Sequence, residues 1–273
     1  MRAVILALSL LLSNAAIWAA ESQSPAAQAT HLTVRLCGTT AYPPNSWIAP
    51  SGRVEGVNAM VVRTLMAKFG ITVDDQQNSN WQRCLKEIEL GNVDVLTGFR
   101  NEQRAQYMAY LDTPIVKEDI NLFYPANQPV EFQGWESLTG LRVGVLMGDS
   151  FGDRADAALN QYLSLEWVSS QHQNLLKLAD NRLDVVPMGR LSGQLQIDAL
   201  GLTEKIGSTA TDVSDYWYVG ISKKSPLMQW YPELNRALAE LLSDATFVSE
   251  GGRQQRDLYL QTMARMPLRQ GLP

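Results

Sequence analysis

One stretch constrains this chain more than any other: Trp81 to Pro114, WQRCLKEIELGNVDVLTGFRNEQRAQYMAYLDTP. Trp81, Cys84, Leu85, Ile88 and Leu90 recur at roughly helical spacing, so the stretch opens as an amphipathic helix. Gly91 follows the last of them, where a glycine free to take positive φ ends a helix. Val93, Val95 and Leu96 form a short apolar run, as a strand covered on both faces does. Gly98 is expected to break that strand, and Asn101 to cap a second helix with Arg104 in its first turn. A strand-like exit closes the stretch. Thr97, Gly98, Phe99, Arg100 and Arg104 therefore collect where a strand's carboxyl end meets a helix's amino end. In an open α/β sheet that is the usual ligand position. Free backbone N–H groups there favour an anion, and a fixed guanidinium can grip a carboxylate through two parallel bonds.

The start of the chain reads as an address label. Arg2 supplies a positive charge, Ala3 to Leu12 are apolar but for one serine, and small residues lead to an expected cleavage near Ala19 or Ala20. This is a secretory signal peptide over residues 1–20, too short in its apolar core to span a bilayer, which needs about 20 residues. What remains, about 250 residues, suffices for one large or two modest domains. A net charge of −5 and no basic run argue against nucleic acid as a partner. The two histidines, His31 and His172, lie in no metal-like spacing, and no cofactor motif is present. Further strands are expected at His31–Cys37, Ile71–Asp74, Leu141–Leu146, Leu163–Val168 and Leu183–Met188. Helices are expected at Val57–Phe69, His172–Ala179, Leu227–Leu242 and Asp244–Met266. Val116–Ala126 and Asp212–Ser222 read as long extended segments.

The run ELGNVDVLTGFRNEQRAQYMAYLDTP resembles the G-x-D … T-x-E-R … F-S-x-P segment of the bacterial extracellular solute-binding proteins of family 3. LTGLRVGVLMGDSFGD resembles that family's L-x-G-K-x-V-G-V-x-x-G-T-T, and Tyr42-Pro43-Pro44 its Y-P-P loop. The resemblance implies an α/β, two-lobed periplasmic binding protein fold of type II. Each lobe would be a small mixed sheet flanked by helices, joined by a two-strand hinge. Lobe 1 is expected to be discontinuous, residues 31–118 plus 219–266, with lobe 2 at 119–218. The resemblance also implies a ligand site. Tyr42 would pack on the ligand, with Trp81 and Phe99 completing the wall, Thr97 at the strand end and Arg104 clamping a carboxylate. Ser150 matches a hydroxyl position that helps hold that carboxylate, while Asp149 replaces another and is expected to cap the following helix. Trp47 is a second aromatic candidate and Tyr216 a residue that could face the cleft.

One departure matters most. The family places an aspartate after the LDVVPM strand, paired with a ligand ammonium, whereas this chain has Gly189 followed by Arg190. Either Asp149, Asp212 or Asp215 supplies the counter-charge, or the ligand is an anion met by Arg100, Arg104 and Arg190. The plainer reading of Arg100 and Arg190 is a solvated surface charge. Cys37 and Cys84 form a disulfide candidate in an exported chain, with two buried thiols as the alternative. The function implied is periplasmic binding of a small, polar, carboxylate-bearing solute, an amino acid or relative, by a monomer that delivers it to an ABC permease. The alternatives are a partner of a membrane sensor, or a cyclohexadienyl dehydratase-like enzyme on the same fold; a non-enzymatic role is expected.

Overall fold

Two long antiparallel strands carry the architecture. The computed structural model describes residues 32–39, 42–76 and 80–266, so the signal peptide, His31 and the tail from Pro267 lie outside the described residues. β7 (Val116–Pro125) and β11 (Ile206–Ser222) pair with each other, and their register shifts between Ala210 and Ser214. Such a bulge bends a ladder and increases its twist. Toward its carboxyl end β11 also pairs with β5 (Val95–Phe99) and β6 (Met108–Tyr110). From β5 the sheet continues in parallel through β1 (Thr33–Leu36) to β4 (Thr72–Asp75). On the far side β7 receives β10 (Val186–Gly189). β8 (Arg142–Leu146) and β9 (Ser164–Val168) form a parallel pair tied in by a bridge from Val143 to Val185. β2 (Trp47–Ile48) and β3 (Val54–Glu55) make a small hairpin. Two α/β halves are thus joined through the two crossing strands.

The helices among the described residues are α1 (Val57–Ala67), α2 (Trp81–Leu90), α3 (Glu102–Ala105), α4 (Asp153–Tyr162), α5 (Gln171–Ala179), α6 (Arg190–Ala199), α7 (Tyr231–Leu242) and α8 (Ala245–Arg265). α2 forms as its sequence dictates. The Asn80 side chain accepts from Arg83 N, Gly91 ends the helix at φ 86°, and Trp81, Cys84 and Ile88 face inward. Leu90, assigned to the same apolar set, is instead exposed.

Three expectations needed correction. β5 does not break at Gly98, because β11 offers Tyr218 as its ladder partner and the strand runs on to Phe99. The helix expected over Leu227–Leu242 is a 3₁₀ turn (Pro226–Trp230) followed by α7, with Pro232 in the first helical turn, where a missing N–H costs nothing. α6 was not anticipated at all. It packs close to β7, where a Cβ on Gly193 would collide with the Phe123 ring.

The main core runs through the first half, over the crossing strands and into the second half at Val143, Val145, Leu146 and Leu159. A second cluster around Phe123, Leu178, Leu183 and Met188 fills the other half. A third, Trp47, Leu195 and Tyr259, packs α8 against α6 between the halves. Cys37, just past β1, and Cys84 on α2 are joined in a disulfide with a Cα–Cα distance of 5.8 Å across a separation of 47 residues. Closing a loop of that length stabilises by about 2–4 kcal/mol. The double variant Cys37→Ala, Cys84→Ala should lose about that much in a denaturant melt, and the wild type should lose a similar amount under dithiothreitol. A melt that reductant leaves unmoved would mean the bond adds nothing.

Candidate functional site

Where β5 ends, Asn101 turns the chain into the single turn of α3 by accepting Arg104 N at 2.8 Å. That cap aims the Arg104 side chain back under β5. Arg104 is only 4% exposed. Its Nη1 donates to Phe99 O at 2.9 Å, its Nη2 donates to Gly148 O at 2.9 Å, and the guanidinium lies 5.6 Å from the centre of the Trp81 ring. Trp81 Nε1 donates to the same Gly148 carbonyl at 3.1 Å. Arg104 forms no ion pair among the described residues, so a buried positive charge is held by carbonyl dipoles and a π face.

Gly148 opens the turn that follows β8, and the next two residues also reach across to the first half. Ser150 Oγ accepts from Asn101 Nδ2 at 2.9 Å and donates to Asp156 Oδ2 at 2.6 Å. Asp149 is not a helix cap: α4 begins after Gly152, which caps it without a side-chain bond. The Asp149 carboxyl instead accepts from Tyr42 Oη at 2.6 Å. The reason is spatial, since the turn carries residue 149 away from the α4 amino end and into the space between the halves.

The aromatic wall contains a residue the sequence reading missed. Tyr42 and Phe99 each meet the Trp217 ring edge-on, with centroids 5.2 Å apart. Tyr216, the neighbour singled out beforehand, is 41% exposed. Alternation along β11 puts these two on opposite faces, and composition alone does not say which faces inward. Tyr42, Trp81, Phe99, Arg104 and Ser150 all line one small cavity together with Trp217, Asp149, Thr39 and Gly98. Its volume is about 10 Å³, room for roughly one water. A wider groove of about 560 Å³ opens on the other side of the Gly148–Ser150 turn, between α2 and α4. Thr97 is buried in the β5 ladder and does not line the cavity. Trp47 belongs to the α6–α8 contact instead. Arg100 lies over the Tyr110 and Tyr218 rings on the outside, and the exposed Arg190 side chain approaches Asp119, so both are solvated surface charges.

Three partly buried acids, Asp149, Asp156 and Asp215, feel the charge of Arg104. Asp149 keeps a partly exposed edge, yet the dense packing about its carboxyl pushes it up to about 7, against the lowering pull of the Tyr42 hydrogen bond and Arg104. Burial likewise lifts Glu118, on β7, to about 7, although Trp217 Nε1 and Asn45 Nδ2 both donate to its Oε2. Asp156 and Asp215 are raised too, chiefly by burial. Glu118 was missed by sequence reading. The available signal was its place between Val116 and Ile120 on the inward face of an alternating strand. No group of three or more metal-type ligands occurs among the described residues, and no described helix is long and apolar enough to cross a membrane.

Two α/β halves linked by crossing strands, with a closed aromatic and charged cleft between them, define a protein of the periplasmic binding fold. The chain belongs to the bacterial extracellular solute-binding proteins, family 3, whose sequence profile matches residues 34–249. A comparison with curated proteins found no match. Among solved structures, it resembles an ancestral arginine-binding protein bound to arginine, with TM-score 0.69, 15% identity, and coverage of 82% of this chain and 97% of that one. It also resembles a histidine kinase sensor domain similar to periplasmic binding proteins, with TM-score 0.69, 20% identity, and coverage of 83% and 96%. A third likeness is the substrate-binding protein of an amino acid ABC transporter, with TM-score 0.66, 12% identity, and coverage of 84% and 99%. These identities speak for the fold alone.

The raised acids set a pH dependence. A carboxyl whose folded pKa lies above its unfolded one binds its proton more tightly in the native state. It contributes stability below the ordinary carboxylate range and loses it as pH climbs through about 7. Melting temperature should therefore fall between pH 5 and pH 8 more steeply in wild type than in Asp149→Asn. Equal slopes would mean that Asp149 titrates normally.

Proposed function

We propose that this chain is an exported binding protein whose two lobes close on a small polar solute bearing a carboxylate, with Arg104 as the anchor. The lobes are taken as residues 31–118 plus 219–266 and residues 119–218, with β7 and β11 as the crossing strands. The observation that carries the reading is the Arg104 guanidinium: buried, fixed by carbonyls, free of an ion pair among the described residues, and facing a cleft walled by aromatics. Burying an unpaired charge is costly, and an incoming carboxylate would relieve that cost. Asp149 does not forbid this: raised to about 7, its carboxyl is partly protonated at neutral pH and can donate to a ligand oxygen. Closure would be favoured because only the closed state lets both lobes touch the ligand.

Arginine and amino-acid binders among the structural neighbours support an amino acid or a close relative as the solute, with delivery to an ABC permease. The protein would act as a monomer in the periplasm after removal of residues 1–20, and not as an enzyme. A second reading, the ligand-sensing partner of a membrane receptor, has its own support. The Gly148–Ser150 turn is latched across the cleft by the chain's own groups, leaving about 10 Å³, and a kinase sensor domain is among the neighbours.

Titration calorimetry of the mature chain against amino acids and their carboxylate relatives tests the anchor. Arg104→Ala should weaken a wild-type binder by about 100-fold, the scale of two charge-assisted hydrogen bonds. Circular dichroism would verify the variant's fold. Unchanged affinity would take Arg104 out of the site.

A further inference from the structure

Glu118 stands in an unusual place. It is 3% exposed, on a crossing strand, and has no ion pair among the described residues. Its two described donors, Asn45 Nδ2 and Trp217 Nε1, share one oxygen, Oε2. The other oxygen lies against Gly189, at the end of β10. A Cβ at 189 would collide with Oε1 and sit 2.6 Å from Cδ, so the missing side chain is the room this carboxylate occupies. The same Trp217 that bonds Glu118 presents its ring to Tyr42 and Phe99 in the cavity wall, and Phe99 O holds Arg104. Glu118 is not itself among the residues lining the small cavity, but it lies one hydrogen bond behind Trp217, in the same wall that holds the Arg104 cation.

We infer that Glu118 is the counter-charge for a cationic group of the solute, and that Gly189 is a glycine because Glu118 fills its side-chain space. The assignment rests on the proposed binding function and extends it: the solute is a zwitterion, its carboxylate toward Arg104 and its ammonium toward Glu118. Arg190 acts on Glu118 only from a distance, burial without an ion pair is costly for a carboxylate, and an ammonium entering the cleft would remove that cost. The buried position of Glu118 and its raised proton affinity fit a group waiting for such a partner. Neither Asp212, which meets Arg154 at the surface, nor Asp215, which bonds its neighbour Tyr216 N, touches this wall.

The test uses the mature chain, with the standard L-α-amino acids, their des-amino acids and their decarboxylated amines as probes in calorimetry. Glu118→Gln keeps the side chain's shape. It should weaken amino-acid and amine binding by tenfold or more and leave the des-amino acid unchanged, while Arg104→Ala should do the reverse for the amine and the des-amino acid. Equal weakening of amino acid and des-amino acid by Glu118→Gln would overturn the assignment and make Glu118 a positioning residue. Binding of des-amino acids alone, with no cationic probe bound, would also overturn it. Glu118-dependent binding of amines without any carboxylate requirement would sustain Glu118 and sink the Arg104 reading. A ligand-free measurement checks the shared space. Gly189→Ala should lower the melting temperature in wild type but not in a Glu118→Gly background; equal losses in both would overturn it.

Discussion

The carbonyl of Gly148 is the point on which the cleft depends. It accepts from Trp81 Nε1 and from Arg104 Nη2, using both lone pairs for donors from the opposite half. The backbone there has φ +85°, and a Cβ would press on Gln82 Cα and Leu85 Cδ1 at 3.2 Å. Glycine is therefore required twice, for the turn and for the approach of α2. With that contact made, Arg104 is immobilised, Ser150 reaches Asn101, and Asp149 reaches Tyr42. Three consecutive residues of one turn seat the second half on the first.

The same turn decides the electrostatics. One buried arginine lies near Asp149 and Asp156, neither close enough to neutralise it as a formal pair, and Glu118 is a further shielded carboxyl behind Trp217. Burial drives all three carboxyls up, to about 7 for Asp149 and Glu118 and in the same direction for Asp156.

What could be read beforehand was local. Asn80 and Asn101 cap by contacts three residues away, Gly91 ends α2 by its own φ, and the burial of Trp81 and Cys84 follows from helical period. The pairing of Cys37 with Cys84 followed from there being two cysteines in a chain read as exported, and the meeting of Tyr42, Phe99 and Arg104 from family pattern, because segments far apart in sequence leave no periodic trace of contact. The errors share one cause. Whether Asp149 caps α4 or meets Tyr42, whether β5 stops at Gly98, and whether Trp217 or Tyr216 faces inward are all decided by a distant strand or turn. Glu118 stayed hidden for the same reason: its partners Asn45, Trp217 and Gly189 come from three other segments.

That last contact also restricts history. Because the Glu118 carboxyl fills the space beside Gly189, a side chain acquired at 189 must displace that carboxyl from where Asn45 and Trp217 hold it. The two positions are therefore coupled, and shortening 118 makes room for a larger residue at 189. A path of substitution that opens this space before filling it would keep both positions unstrained throughout.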